Sequence, residues 1–474
     1  MRRRSAALVV LSALTSYAAP ARAHASTRSL VLEGKAPDAL TGVWRSEGYG
    51  FVFVAKGDSL HAYEVTRTTC VPSFTAIRVA ESTPGVEVTY VDGNDQFMVM
   101  AGKSASEKRL HNDGAASDIV VRRIDAIPTQ CATPTTDTPA NNFDVFAQNW
   151  QEHYILFREK HADWPAIVAS ARARVTASTT PNELFTVLSG MIAPFEDAHT
   201  RISAPAIKQR FSTLRKGTDR VIAHGFAEFQ SKDLPILLGM TDRQLQGGLR
   251  KFCNDQLQYG HVNDTTGYLR ILGESGYTSE GGFESGLKAL DAALDTIFGD
   301  PRLKGLVIDV RVNFGGADPY GLALASRLAS NSWTAYAKAA RSEPTDLDKW
   351  TPPQPSMVQP SNRPGFRGPV VELMGPLTIS AGETTTQALM GRTPKVLRLG
   401  ENTQGVFSDV LMRRMPNGWR FGLPNEVFRS SDGKTFDGPG IPPDIEVPVF
   451  AADDIAAGRD PGLERAAREL YRKR

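Results

Sequence analysis

The stretch Pro369-Val370-Val371-Glu372-Leu373-Met374-Gly375-Pro376-Leu377-Thr378-Ile379-Ser380-Ala381-Gly382-Glu383 reads as a strand, a turn and the start of a helix. The apolar run 369–374 has the length and β-branched content of a buried strand, and a helical segment follows over Gly382–Met390. A hydroxyl at such a turn is exposed to a substrate. The helix N-terminus beyond it offers unpaired N–H groups to a developing oxyanion. Ser380 is therefore a candidate nucleophile, and an ordinary helix N-cap is the competing reading.

Working outward, the chain alternates strands and helices around this stretch. Tyr268–Ile271 reads as a strand, Gly281–Phe298 as an amphipathic helix, and Leu306–Arg311 as a nearly continuous apolar strand. The turn Val312-Asn313-Phe314-Gly315-Gly316 and a helix over Pro319–Ser330 come next. This β–α–β order implies a largely parallel α/β core. The Gly-Gly turn permits close backbone approach. It lacks a full GxGxxG or GK[ST] pattern, so nucleotide binding is not indicated. Asn331–Gly368 reads as a surface insertion. Val396–Gly405 is a further strand and turn, three antiparallel strands follow between Leu411 and Arg429, and a charged helix closes the chain beyond Ala451.

The N-terminal part has different periodicities. Short β-rich runs separated by Gly, Asp, Asn and Ser turns span 38–128 and imply a small antiparallel barrel or sandwich. Trp44, Tyr49, Phe51 and Phe53 line either its core or a ligand cavity. Thr129–Asn142 reads as a linker. A helical subdomain over 143–205 ends in Asp197-Ala198-His199-Thr200. Histidine is suited to proton transfer near neutral pH, and the other seven histidines lack a comparable setting. The region 206–262 is read as a connection, with strands over Val221–Phe229 and Leu234–Gly239, and the catalytic core as 263–450.

Composition bounds the function. The chain has 474 residues, and Met1–Ala23 carries Arg2, Arg3, Arg4, a short apolar run and an Ala21-Arg22-Ala23 cleavage pattern. This is a signal peptide, and the protein is expected to be periplasmic or secreted. Without Met1–Ala23 the 54 basic residues become 50 against 52 acidic, a net of −2. Such a balance, with no basic aromatic-rich patch, argues against nucleic acid. No run is long and apolar enough to span a bilayer. Neither a metal nor another cofactor is called for, because no Cys/His set has zinc spacing. Cys70 and Cys131 would close one small domain, leaving Cys253 over.

Taken in order, IDVRVNFGG (308–316), TISAGE (378–383), GENTQG (400–405) and GPGIPPDIEV (438–447) resemble the tail-specific, or C-terminal processing, serine peptidases. Similarity is closest to the branch with the tricorn protease core and the interphotoreceptor retinoid-binding modules. The resemblance covers roughly Phe143–Val449. It implies a crotonase-like α/β core, Ser380 as nucleophile and His199 as general base. Ala381 and Gly315 or Gly316 would supply the oxyanion hole. Asp437 stands where the branch has the glutamate that orients its histidine, and Glu401 is the other acid open to that role. The lysine of the Ser–Lys processing peptidases is replaced by Val406, Ala198 stands where tricorn has a serine, and no PDZ module is recognisable. The implied activity is hydrolysis of extended or unfolded polypeptide. A binder of peptide or apolar ligand on the same fold is the alternative, and acyl transfer to a non-peptide ester or amide is a third reading. The sequence does not specify the oligomeric state.

Overall fold

A computed structural model describes residues 40–472, apart from 80–83, 94, 216–217, 219–220 and 223–225. The signal segment lies outside the described residues. Eight antiparallel strands, β1 (Gly42–Ser46), β2 (Phe51–Lys56), β3 (Ser59–Val65), β4 (Cys70–Val79), β5 (Val86–Asp92), β6 (Asp95–Ala101), β7 (Glu107–Asn112) and β8 (Ile119–Ile124), form a closed barrel. Pairing of β1 with β8 removes both sheet edges, so no backbone ladder is left open. Trp44, Phe53, Leu60, Val88, Tyr90 and Val99 belong to the barrel's buried interior. The aromatic residues near its start are thus mainly core. Tyr49 is the exception, since it packs instead against Ala340 and Leu411.

Cys70 and Cys131 form a disulfide. Helix α1 (Pro139–His153) then begins inside the segment that reads as linker in the sequence. The Thr-Pro pair responsible is a start signal. The Thr138 side chain accepts from the Asn141 N–H, and Pro139 occupies the first helical position, where its missing N–H costs nothing. With α2 (Trp164–Arg172) and α3 (Pro181–Ile192), α1 buries Phe143, Phe146, Trp150 and Tyr154 against Phe195 and Phe421.

Strands β9 (Arg201–Ala204) and β10 (Gln209–Ser212) follow. The strands expected over 221–239 are absent from the described part of that stretch. Residues Phe226–Glu228 are helical, Phe229–Asp233 form a π turn, and α4 spans Leu234–Asp242. Leu234, Leu237 and Met240 bury one face at helical spacing, and Pro235 starts the helix. A hydrophobic run of this length is ambiguous without its neighbours.

The central sheet has seven strands in the order β11-β12-β13-β14-β18-β20-β24. Its strands are β11 (Gln246–Phe252), β12 (Leu257–Asn263), β13 (Thr266–Ile271), β14 (Gly305–Asp309), β18 (Val370–Met374), β20 (Leu397–Gly400) and β24 (Ile445–Glu446). From β13 onward the pairs are parallel, while β11 and β12 are an antiparallel extension. The sheet therefore begins at residue 246 rather than after the connecting region. Helices α5 (Phe283–Phe298), α6 (Asp318–Leu328) and α7 (Ala381–Leu389) cover one face. Helix α9 (Pro461–Leu470), preceded by the short α8 (Ala452–Ala457), covers the other. Burial on both faces explains the apolar neighbours Leu306–Ile308 in β14 and Val370–Val371 and Leu373–Met374 in β18.

Two smaller sheets complete the core. The segment read as a surface insertion supplies β16 (Trp333–Ala340) and β17 (Gln354–Val358), which pair with each other and with β23 (Glu426–Arg429). Strands β21 (Val410–Arg414) and β22 (Arg420–Pro424) form a hairpin whose β22 edge pairs with β9.

The Cys70–Cys131 bridge closes a separation of 61 residues. Its removal is expected to destabilise the barrel by about 2–4 kcal/mol through the added entropy of the unfolded chain. Denaturant unfolding of the Cys70→Ser/Cys131→Ser protein checks this, and an unchanged midpoint would contradict it.

Candidate active site

Four segments converge at the C-terminal ends of β14 and β18. Two short strands, β15 (Val312–Asn313) and β19 (Leu377–Thr378), run parallel with Asn313 opposite Thr378. The Ile379 N–H donates to the Asn313 carbonyl at 2.9 Å. This register lays the Gly315-Gly316 turn against Ser380. A Cβ on Gly315 would lie 2.6 Å from the Ser380 Cβ and 2.9 Å from the Ala381 nitrogen. A Cβ on Gly316 would lie 2.1 Å from the Glu274 carbonyl oxygen. Only glycine fits either position, and both have positive φ.

Ser380 itself has φ 57° and ψ −121°, a conformation rare for a residue with a side chain. Such geometry costs about 1–3 kcal/mol and persists only where surrounding contacts hold it. Here Glu383 is one of those contacts. Its fully buried carboxyl accepts the N–H groups of Gly405 at 2.7 Å, Val406 at 2.8 Å and Ser380 at 3.3 Å. Burial pushes Glu383 up to about 7, against the lowering effect of these donors and Thr403.

Ser380 is half-buried and Gly316 exposed, although their neighbours Ile379, Ala381 and Gly315 are buried. The Gly315 N–H is already engaged by the Asn313 Oδ1 at 2.9 Å. This removes Gly315 from the pair of glycines expected as oxyanion donors. The N–H groups of Gly316 and Ala381 have no acceptor among the described residues. The Asn313 side chain also donates to Glu274 at 2.9 Å, so it fixes the turn from both ends. Asn313 lies within a quoted motif, but nothing in the sequence marks its amide as the anchor.

His199 enters from the other side. It lies two residues before β9, whose pairing with β22 docks the helical subdomain onto the β21–β22 hairpin. Its backbone N–H donates to the Asp197 Oδ1 at 2.8 Å. Ala198 packs in one buried cluster with Phe314, Ile379 and Val406, which are the neighbours of Gly315, Ser380 and Gly405. The imidazole is buried, and its Nδ1 has no partner among the described residues. Burial and the charge of Arg201 push His199 down to about 3, while Asp409 and the Ser408 backbone act in the opposite direction. The ring is thus neutral at physiological pH.

The acids expected to orient His199 are committed elsewhere. Asp437 accepts from the Phe407 N–H at 3.2 Å and the Thr435 hydroxyl at 2.9 Å, and no hydrogen bond joins it to the imidazole. Its short side chain is used up on Phe407 and Thr435. Burial pushes it to about 7. Glu401 accepts from the Val449 N–H at 2.8 Å. Asp309 holds Tyr268 and Arg311, which reaches Asp460 next to α9. Lys395 pairs with Asp444 at 2.7 Å. Asp409 and Ser408, which the sequence does not mark, are the acid and backbone that influence the ring.

Residues 265–447 match the model of peptidase family S41. A search of curated protein sequences finds no match. Among solved structures, a candidate peptidase from Parabacteroides merdae ATCC 43184 aligns with a TM-score of 0.60 and 23% identity, over 72% of this chain and 98% of that one. Mature CPAF, solved in complex with lactacystin, aligns with a TM-score of 0.50 and 14% identity, over 70% and 97% of the two chains. At these identities the likeness is one of fold.

Replacing Glu383 by Gln puts an amide NH2 where the Gly405 N–H needs an acceptor, while the remaining carbonyl oxygen still accepts from Val406 and Ser380. This should cost about 1–3 kcal/mol. The sign with pH follows from the raised value. In the wild type the stability contribution is fully present below the ordinary glutamate range and is lost as pH rises through about 7. The gap between wild type and Glu383→Gln should therefore be largest near pH 4.5 and narrow toward pH 8 in denaturant unfolding. A gap that widens with pH would refute it.

Proposed function

We propose that this chain, a serine peptidase of family S41 by the match of residues 265–447, cleaves extended polypeptide through an acyl-enzyme on Ser380. The observation that carries the reading is the seating of the strained Ser380 against the Gly315-Gly316 turn, with Gly316 and Ala381 N–H groups unengaged. The core is of crotonase-like type in this reading, with the barrel and the helical subdomain as separate units ahead of it.

In the proposed mechanism the Ser380 Oγ attacks the scissile carbonyl carbon, and His199 takes the hydroxyl proton. Collapse of the tetrahedral intermediate breaks the C–N bond, and His199 returns the proton to the leaving amine. Water then attacks the acyl-enzyme by the same route. The Ala381 and Gly316 N–H groups hold the oxyanion, each worth about 2.7–4 kcal/mol at the transition state. His199 is suited to the base role because burial keeps it neutral. Its backbone is held by Asp197. Asp437 positions Phe407 rather than the imidazole.

The N-terminal pattern adds export to the periplasm or medium, with the mature chain beginning near residue 24. No helix of the described residues is long and apolar enough to cross a membrane.

A fluorophosphonate probe should label Ser380 in the folded protein, as mapped by mass spectrometry. His199→Ala should lower labelling and peptide turnover by roughly 10⁴-fold or more. Labelling that survives this variant would remove His199 as base. The ring should also show no titration between pH 8 and pH 5 by NMR, because its value lies near 3.

A further inference from the structure

A cavity of about 240 Å³ lies between the barrel and the core. Its barrel wall comes from the start of β6 and the end of β7, and its core wall from Glu274, Ala317 and the start of α5. The two sides touch directly. The Phe283 N–H donates to the Asp113 Oδ2 at 3.4 Å, and a Cβ on Gly114 would meet the Phe283 ring at 3.4 Å. The cavity also borders the oxyanion turn. The Glu274 N–H donates to the Gly315 carbonyl, and the Ala317 N–H to the Glu274 carbonyl, each at 2.9 Å.

The lining has one sign of charge. Asp95 and Asp113 are its acidic residues beside the buried Glu274, and no lysine or arginine lines the cavity among the described residues. Glu274 is 2% exposed, burial pushes its carboxyl up to about 7, and its Oε2 has no hydrogen-bond partner among the described residues. Its other oxygen is occupied by Asn313 and Thr385. The Phe283 and Tyr320 rings pack at 5.0 Å on the same wall. Asp113 faces Tyr320, whose hydroxyl is pushed up to about 12 by burial and by that acid. Aromatic faces beside carboxylates suit a long side chain with an apolar stem and a cationic head.

We infer that this cavity is a substrate subsite for a basic side chain, arginine or lysine, lying within about three residues of the scissile bond. The inference rests on the serine peptidase reading and adds a substrate class to it. The reach follows from the placement. The Glu274 and Ala317 hydrogen bonds join the cavity wall to the turn beside Ser380, and an extended peptide advances about 3.3 Å per residue. The barrel thereby supplies specificity to a reaction performed by the core.

The test uses the full mature chain and quenched fluorescent peptides with arginine or its neutral isostere citrulline at each of three positions on either side of the cleaved bond. One position should favour arginine by at least about tenfold in kcat/KM, the size of one charge-assisted hydrogen bond. Asp113→Asn and Asp95→Asn should each reduce that ratio severalfold. The ratio is taken within one variant, so loss of folded protein does not affect it. Equal cleavage of both series at every position, or a preference that survives both variants, overturns the subsite. A second arm is independent of turnover: Ser380→Ala protein is titrated with Nα-acetyl-arginine amide and its citrulline analogue by NMR. Arginine-selective binding lost in Ser380→Ala/Asp113→Asn upholds the subsite even if no peptide is cleaved, in which case the peptidase reading alone fails. Absence of selective binding overturns the subsite whatever the activity.

Discussion

One buried carboxyl joins the parts of the site. Glu383 stands in the first turn of α7 and accepts from Ser380, Gly405 and Val406. The Ser380 bond helps hold a backbone conformation that a serine would otherwise avoid. The other two fix the start of a segment whose next residues carry the remaining contacts. Phe407 binds Asp437, and the Ser408 backbone lies against His199. A single side chain therefore couples the position of Ser380 to the wall that receives His199. A buried carboxyl without these donors would be costly, so the site and the fold are stabilised by the same bonds.

The parallel core was legible because its signals are local and repeated. Strands such as Gly305–Asp309 are buried on both faces and read as continuous apolar runs. Ser380 and the Gly-Gly turn were legible for the same reason, since turn chemistry is written in adjacent residues. His199 was singled out by the setting of its Asp-x-His-Thr loop, about 180 residues before Ser380 in the chain. Its approach to the core depends on β9 pairing with β22, which no local pattern encodes.

What could not be read depends on long-range partners. Asn313 is one amide among several until its bonds to Gly315 and Glu274 are seen. Residues 331–368 are rich in Pro and Ser and read as an excursion, yet β16 is buried through pairing with β23 almost ninety residues later. The Leu234–Asp242 run has the composition of either a strand or a helix, and packing of one face decides for the helix. Asp437 illustrates the reverse limit. Its place in a motif suggested a partner for His199, but Thr435 and Phe407 lie within its shorter reach.

The barrel is more than an appended module, because its contacts run into the site along a charged path. The Tyr49 hydroxyl, leaving β1, donates to the Glu426 Oε1 at 2.5 Å. Lys338 bridges Glu426 at 3.3 Å and Asp409 at 2.5 Å. Asp409 is the acid whose charge acts on His199. These groups are buried except for Asp409, which is half-exposed. Lys338 keeps its charge despite burial because two carboxylates face it, which raises its pKa. Removing one member would leave an unpaired charge in a medium of low polarity, and such a loss is strongly destabilising. The position of the barrel and the electrostatic setting of the histidine are thus parts of one network, and a change at their interface acts on both.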